Sequence, residues 1–260
     1  MKNIIVGFFI ICLTISSIQA KIVTKNICLL KGNNFIYAGG ECIEYHESLS
    51  DNKNALNIVV HGVWSEGTNV LGRYSTFADD LAIQTDISTV AVALPGYSGS
   101  STNNLKSLGH KGSKYLASTK EYIKFLSELI LSLKKRYKVK IINYIGHSAG
   151  AAMGATLIGY KPKLINNLVS AGGYFDIHKR SKDKELISAV DYIDNVDKNT
   201  KILLIYGTKD KISKPKVSKD FYNIAKEKLL NVKLVKVKDG IHLDLDMSDT
   251  SEEAIVEFLE

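Results

Sequence analysis

Three side chains of this sequence have the types and the order that acyl-transfer chemistry needs: Ser148, Asp210 and His242. Ser148 lies within Gly146-His147-Ser148-Ala149-Gly150, between the apolar run 139–145 and Ala151-Ala152-Met153-Gly154-Ala155. That context reads as strand, sharp turn, helix. Such a turn forces the serine into a strained backbone conformation and lifts its hydroxyl above the sheet, so the residues two positions away on either side must be small. A serine hydroxyl is a poor nucleophile alone; it needs a base in hydrogen-bond reach, and the base needs a carboxylate to fix its tautomer. In a parallel sheet such groups gather past the C-terminal ends of strands. Asp210 follows the apolar run 201–206, and His242 follows the run 232–237. Ser148 is therefore assigned as nucleophile, His242 as general base and then acid, and Asp210 as the orienting carboxylate.

Other groups compete for these roles. Asp176, past the preceding apolar run, is the rival carboxylate. Asp239 is too near His242 in sequence to be its partner. His147, inside the turn, should point away from the reaction and support the site. His46, His110 and His178 lack strand-end positions and read as surface residues. An oxyanion hole requires two N–H groups aimed at one point. One is expected from Ala149, at the start of the helix, whose positive end faces the developing charge. The second is expected from Val63, after the run 55–60 and the turn His61-Gly62, with Trp64 and Tyr97 lining the substrate pocket.

Those groups need a scaffold. Continuous apolar runs at 55–60, 89–94, 139–145, 164–170, 201–206 and 232–237 have the character of buried parallel strands. Helical spacing alternates with them at 73–83, 113–137, 184–193, 215–229 and 251–259. Alternation of this kind predicts an α/β protein, a mostly parallel central β-sheet with helices on both faces. Segments 21–30 and 34–46 read as two short strands at an antiparallel edge.

The 260 residues suffice for one large domain, and no linker or repeat divides them. Lys2, a short apolar stretch and Ala20 have the form of an export signal, so residues 1–20 are expected to be a signal peptide and 21–260 the mature domain. The apolar stretch is shorter than the roughly 20 residues that span a bilayer, although a short uncleaved anchor is the rival reading. Cleavage would remove Cys12 and leave Cys28 and Cys42, an even pair that in an exported protein suggests a disulfide; two free thiols are the alternative. The formal charge of +7 comes from scattered lysines without aromatic interleaving. It reads as solvated surface, with mild attraction to anionic lipid or polymer as the alternative and no nucleic-acid partner.

With these motifs in hand, the chain resembles the α/β-hydrolase superfamily. The resemblance rests on His61-Gly62, Leu94-Pro95-Gly96-Tyr97-Ser98-Gly99-Ser100, the serine pentapeptide, Gly207-Thr208-Lys209-Asp210 and Gly240-Ile241-His242, in the family's order across nearly the whole chain. It implies the superfamily's fold and a serine–histidine–aspartate mechanism that needs no cofactor or metal. It does not imply a substrate. Two departures matter. The oxyanion loop is His61-Gly62-Val63-Trp64, not the His-Gly-Gly-Gly of one large esterase group. The insert between residues 172 and 201 is short and lysine-rich, so an open site is expected in place of the large lid of many lipases. The expected function is an exported serine hydrolase that cleaves small-molecule carboxylic esters through an acyl-enzyme, with no stable membrane insertion once the signal is removed. A peptidase of the prolyl-oligopeptidase-like kind and a non-catalytic binding protein on the same scaffold are the alternatives.

Overall fold

The computed structural model describes residues 22–260; the expected signal peptide and its cleavage site lie outside the described residues. Helix α1 (Lys25–Leu30) comes first, then β1 (Phe35–Ala38), β2 (Glu41–Ser48), β3 (Ala55–Val60), α2 (Leu71–Thr85) and β4 (Thr89–Val92). They are followed by α3 (Lys120–Tyr137), β5 (Ile141–His147), α4 (Ala149–Tyr160), β6 (Asn167–Ala171) and α5 (Ala189–Tyr192). The chain closes with β7 (Lys201–Gly207), α6 (Pro215–Glu227), β8 (Asn231–Val237) and α7 (Asp249–Leu259). Eight strands form one sheet in the order β1-β2-β4-β3-β5-β6-β7-β8. The strands from β4 to β8 in that order run parallel, while β2 pairs antiparallel with both β1 and β4.

The sheet is parallel because its strands are apolar on both faces. All six residues of β3 and all four of β4 are buried. Each face therefore needs a cover of helices. Helices α2 and α7 contact each other on one side, and α3 and α4 contact each other on the other. The α3 stripe of Tyr122, Ile123, Phe125, Leu126, Leu129, Ile130 and Leu133 is buried as its spacing requires. Eleven of the twelve residues of α4 are buried, and its alanines and glycines bring it hard against the central strands. Among the described residues no helix is long and apolar enough to cross a membrane.

The amino-terminal edge departs from expectation. Within the expected strand 21–30, the described residues 22–30 do not form one: Thr24 caps α1 by accepting from the Ile27 N–H, and a capped helical turn carries Cys28 inward. Segment 34–46 is not one strand but the hairpin β1–β2, turned at Gly39 and Gly40 with φ of +57° and +82°, values that residues with a Cβ rarely adopt. The long helix starts at Lys120, because Thr119 caps it and residues 116–118 form a separate 3₁₀ turn. The helical pattern at 184–193 is realised only as the single turn α5 and a short 3₁₀ segment, Ile193–Asn195.

A disulfide joins Cys28 of α1 to Cys42 of β2, with Cα atoms 5.4 Å apart. Beside it, Glu41 is fully buried. Its carboxylate accepts from the N–H groups of Asn103, Asn104 and Leu105 at 2.6–2.9 Å and from the Ser101 hydroxyl. The hairpin thus holds the start of the long loop between β4 and α3. Closing the 14-residue separation stabilises the fold by about 3 kcal/mol through loss of unfolded-chain entropy. Replacing both cysteines by serine is therefore expected to lower Tm by about 6–12 °C. Calorimetry of the oxidised protein and the double variant checks this, and equal melting temperatures would contradict it.

Candidate active site

The chain reverses direction across the sheet between β3 and β5: β4 lies on one side of β3 and β5 on the other. A crevice opens where the two connections part. Ser148 stands at the end of β5 in this crevice, with φ 54° and ψ −112°. The glycines around it are required by contact. A Cβ on Gly146 would lie 2.7 Å from backbone atoms of Gly150 and Ala151, and one on Gly150 would lie 2.2 Å from the Val60 carbonyl oxygen.

The structure brings Ser148, His242 and Asp210 together. His242 Nε2 lies 2.8 Å from Ser148 Oγ, and its Nδ1 lies 2.7 Å from Asp210 Oδ2. A carboxylate only accepts, so Nδ1 carries the proton and Nε2 offers its lone pair to the serine hydroxyl. Burial pushes the Asp210 pKa up, but hydrogen bonds from His242 and from the Ser213 and Ile212 N–H groups outweigh it and hold the group below its ordinary value. Asp210 therefore stays ionised as the partner of the imidazole. Asp176 is elsewhere: it caps a 3₁₀ turn through the His178 N–H and pairs with Lys179 at 3.3 Å. Asp239 pairs with Lys209 at 3.1 Å.

His147 lines the cavity beside Ser148 and braces the loop of His242, donating from Nε2 to the His242 carbonyl oxygen at 2.7 Å. Beyond it, the buried Asp246 stands 3.9 Å from His147 Nδ1, too far for a hydrogen bond. His46, His110 and His178 pair with Asp79, Glu66 and Asp191, away from the crevice.

The loop after β3 closes the site from the other side. Gly62 packs on Ser148 so closely that a Cβ there would lie 2.8 Å from the serine Cβ. Among the described residues, neither the Val63 nor the Ala149 N–H has a hydrogen-bond partner. Both residues line the same cavity as Ser148. The loop is fixed from beneath. His61 is buried, accepting at Nε2 from the Leu94 N–H at 3.0 Å and donating from Nδ1 to the Gly62 carbonyl at 2.7 Å. Burial holds its pKa down to about 4.

Tyr97 does not line the pocket. It is fully buried below it, and its hydroxyl donates to the Trp64 carbonyl at 2.8 Å while accepting from the N–H groups of Trp64 and Gly109. The residue positions the loop and does not touch the cavity. Trp64 does line it.

The cavity has a volume of about 370 Å³ and a mainly apolar surface. Several of its walls carry no motif: Leu108, Tyr115 and Leu116 come from the long loop after β4, and Tyr174 and Arg180 from the short insert after β6. Ile212 and Leu243 also line it; their adjacency to Asp210 and His242 is the signal that could have found them. Among the described residues no group of three or more histidine, cysteine, aspartate or glutamate side chains could hold a metal ion.

Comparison with known proteins agrees with this fold. Residues 51–196 match the family model described as serine aminopeptidase, S33. No curated protein matches the chain. Among solved structures, the Pyrococcus furiosus esterase Pf2001 is similar at a TM-score of 0.66 and 18% identity, over 86% of this chain and 88% of that one. Est1E from Butyrivibrio proteoclasticus, solved with ferulic acid bound, gives 0.60 and 17%, over 86% and 97%. A candidate dipeptidyl aminopeptidase IV from Bacteroides ovatus gives 0.65 and 16%, over 86% of this chain and 34% of that one.

His61 generates a stability prediction. In the unfolded chain the imidazole takes a proton near pH 6.5; in the fold it resists until about 4. Unfolded protein therefore binds more protons in this window, and stability falls as pH drops through it, at up to about 1.4 kcal/mol per pH unit. Urea denaturation at graded pH should show a shallower fall for His61→Gln than for the wild type; equal slopes would count against the buried neutral imidazole.

Proposed function

Since the chain belongs to the serine aminopeptidase S33 family and is an α/β-hydrolase-fold serine hydrolase, we propose that it is an exported enzyme that cleaves carboxylic esters of small molecules through an acyl-enzyme. The observation that carries this reading is the continuous hydrogen-bond chain Ser148–His242–Asp210, at 2.8 and 2.7 Å. As Ser148 Oγ attacks the ester carbonyl, His242 Nε2 takes its proton. The tetrahedral oxyanion is held by the N–H groups of Val63 and Ala149, which have no other partner among the described residues. His242 then protonates the departing alkoxide, the alcohol leaves, and an acyl-serine remains. Water repeats the sequence: His242 takes its proton, hydroxide adds to the acyl carbon, and the carboxylic acid leaves as Ser148 recovers its proton. Asp210 holds the imidazole in the tautomer that both steps require. The machinery needs no cofactor.

Peptide hydrolysis is the second reading, favoured by the family's description and by the likeness to the Bacteroides ovatus chain. The pocket supports esters more strongly. An aminopeptidase must bind a protonated α-amine, and among the described residues no aspartate or glutamate lines this cavity. The Cys28–Cys42 disulfide supports export, since such bonds persist in oxidising compartments.

The test compares nitrophenyl esters of graded acyl length with aminoacyl nitroanilides. Ester turnover is expected, falling to background in Ser148→Ala and His242→Ala, and by about 10⁴ in Asp210→Asn. Anilide turnover with negligible ester turnover would transfer the assignment to the peptidase reading. Undiminished ester hydrolysis by a folded Ser148→Ala variant would falsify both.

A further inference from the structure

Resting on the ester-hydrolase reading, we infer that the preferred substrates carry a carboxylate at the far end of an apolar spacer, and that Arg180 binds it. Among the described residues, Arg180 is the only one lining the cavity with a permanent charge. Among the described residues it has no acidic partner within 4.0 Å. Yet the side chain is held on two sides. Its guanidinium stacks over the Tyr174 ring at 4.8 Å, and Nη2 donates to the Ile212 carbonyl at 3.2 Å. The Tyr115 hydroxyl donates to its backbone oxygen at 3.2 Å. Each of these three anchors lines the same cavity.

A guanidinium has five N–H donors in a planar fork. The Ile212 bond engages one nitrogen, which leaves donors able to hold a carboxylate in two-point contact. Fixing the plane in advance removes part of the ordering cost of binding. The rest of the wall is apolar, from Val63, Leu108, Leu116, Ile212 and Leu243, and suits a methylene spacer. Arg73, the other arginine nearby, is engaged with the Leu243 carbonyl and Asp244 and does not line the cavity.

The surroundings reinforce the sign. Lys182, Lys184, Lys211 and Lys214 stand exposed on the two loops that supply Arg180 and Ile212, against Asp183 and Glu185; Asp176 and Asp220, which line a neighbouring cavity with Arg180, are paired with Lys179 and Lys216. A positive rim attracts an anion before contact, and salt weakens that attraction.

The experiment compares monoethyl adipate and monoethyl suberate with ethyl hexanoate and ethyl octanoate, followed by pH-stat. A butyrate ester of a hydroxyalkanoate places the carboxylate on the alcohol side. Because Arg180 is partly solvated, the wild-type preference in kcat/KM for the anionic member of a pair is expected to be about three- to tenfold, carried by KM. Arg180→Gln should abolish the preference and Arg180→Lys restore part of it. In the wild type alone, added sodium chloride should raise KM for half-esters and not for neutral esters. Equal or better turnover of neutral esters, or a preference that survives in folded Arg180→Gln, overturns the subsite while Ser148-dependent ester hydrolysis stands. Absence of turnover with every ester, together with no labelling of Ser148 by a fluorophosphonate, overturns the ester reading and the subsite together.

Discussion

Everything at this site depends on one strained peptide segment. Ser148 holds a left-handed φ that a residue with a Cβ adopts at a cost of order 1–3 kcal/mol, and a ψ outside the regular left-handed helix region. Its surroundings leave no alternative. The Ser148 N–H donates to the Ala171 carbonyl at 2.8 Å, which ties the turn to β6, and its own carbonyl accepts from Ala152 at 3.0 Å, which starts α4. Gly150 lies so close to the carbonyls of β3 that only hydrogen fits between them. The strain is sustained by the burial of α4 and the central strands, and it sets the direction of the Ser148 hydroxyl.

Around that fixed oxygen the remaining groups are held by supports that take no part in bond making. His147 holds the backbone of His242 from below. The Ile212 and Ser213 N–H groups hold Asp210 from behind. His61 and Tyr97 hold the loop that carries Val63. In each pairing a buried side chain, His147, Asp210, His61 or Tyr97, is hydrogen-bonded to backbone atoms. Such bonds cost most when one partner is lost in a dry interior, which makes them stiff fixings for a catalytic surface. His61 shows the trade: its neutral imidazole serves the loop well, and the same burial makes the fold sensitive to acid.

The sheet and the three polar side chains were legible in the sequence because both signals are local. A strand buried on both faces must be apolar throughout, and a group past its end must stand at the crevice. The amino-terminal edge was less legible. Segment 21–30 carries β-branched residues that suit a strand, yet Thr24 caps a helix there, and the Gly39-Gly40 pair that turns the hairpin was absorbed into one long strand. Tyr97 lies in a segment that resembles an active-site loop, but whether its ring faces the cavity or the core depends on how Trp64 and Gly109 close over it. Tyr115 and Arg180 were not legible at all. They come from connections whose paths are set by contacts distant in sequence, such as the hydroxyl of one donating to the backbone of the other.

The Glu41 carboxylate separates two jobs within one domain. The atoms that break bonds hang from the parallel strands, whereas the loop that supplies Leu108, Tyr115 and Leu116 starts from a segment moored to the disulfide-bonded hairpin at the sheet's edge. That wall of the pocket and the reacting groups therefore have different foundations. Substitutions along that outer strip can reshape what the enzyme accepts while the reacting groups keep their alignment, so descendants of this scaffold are free to change diet without relearning their chemistry.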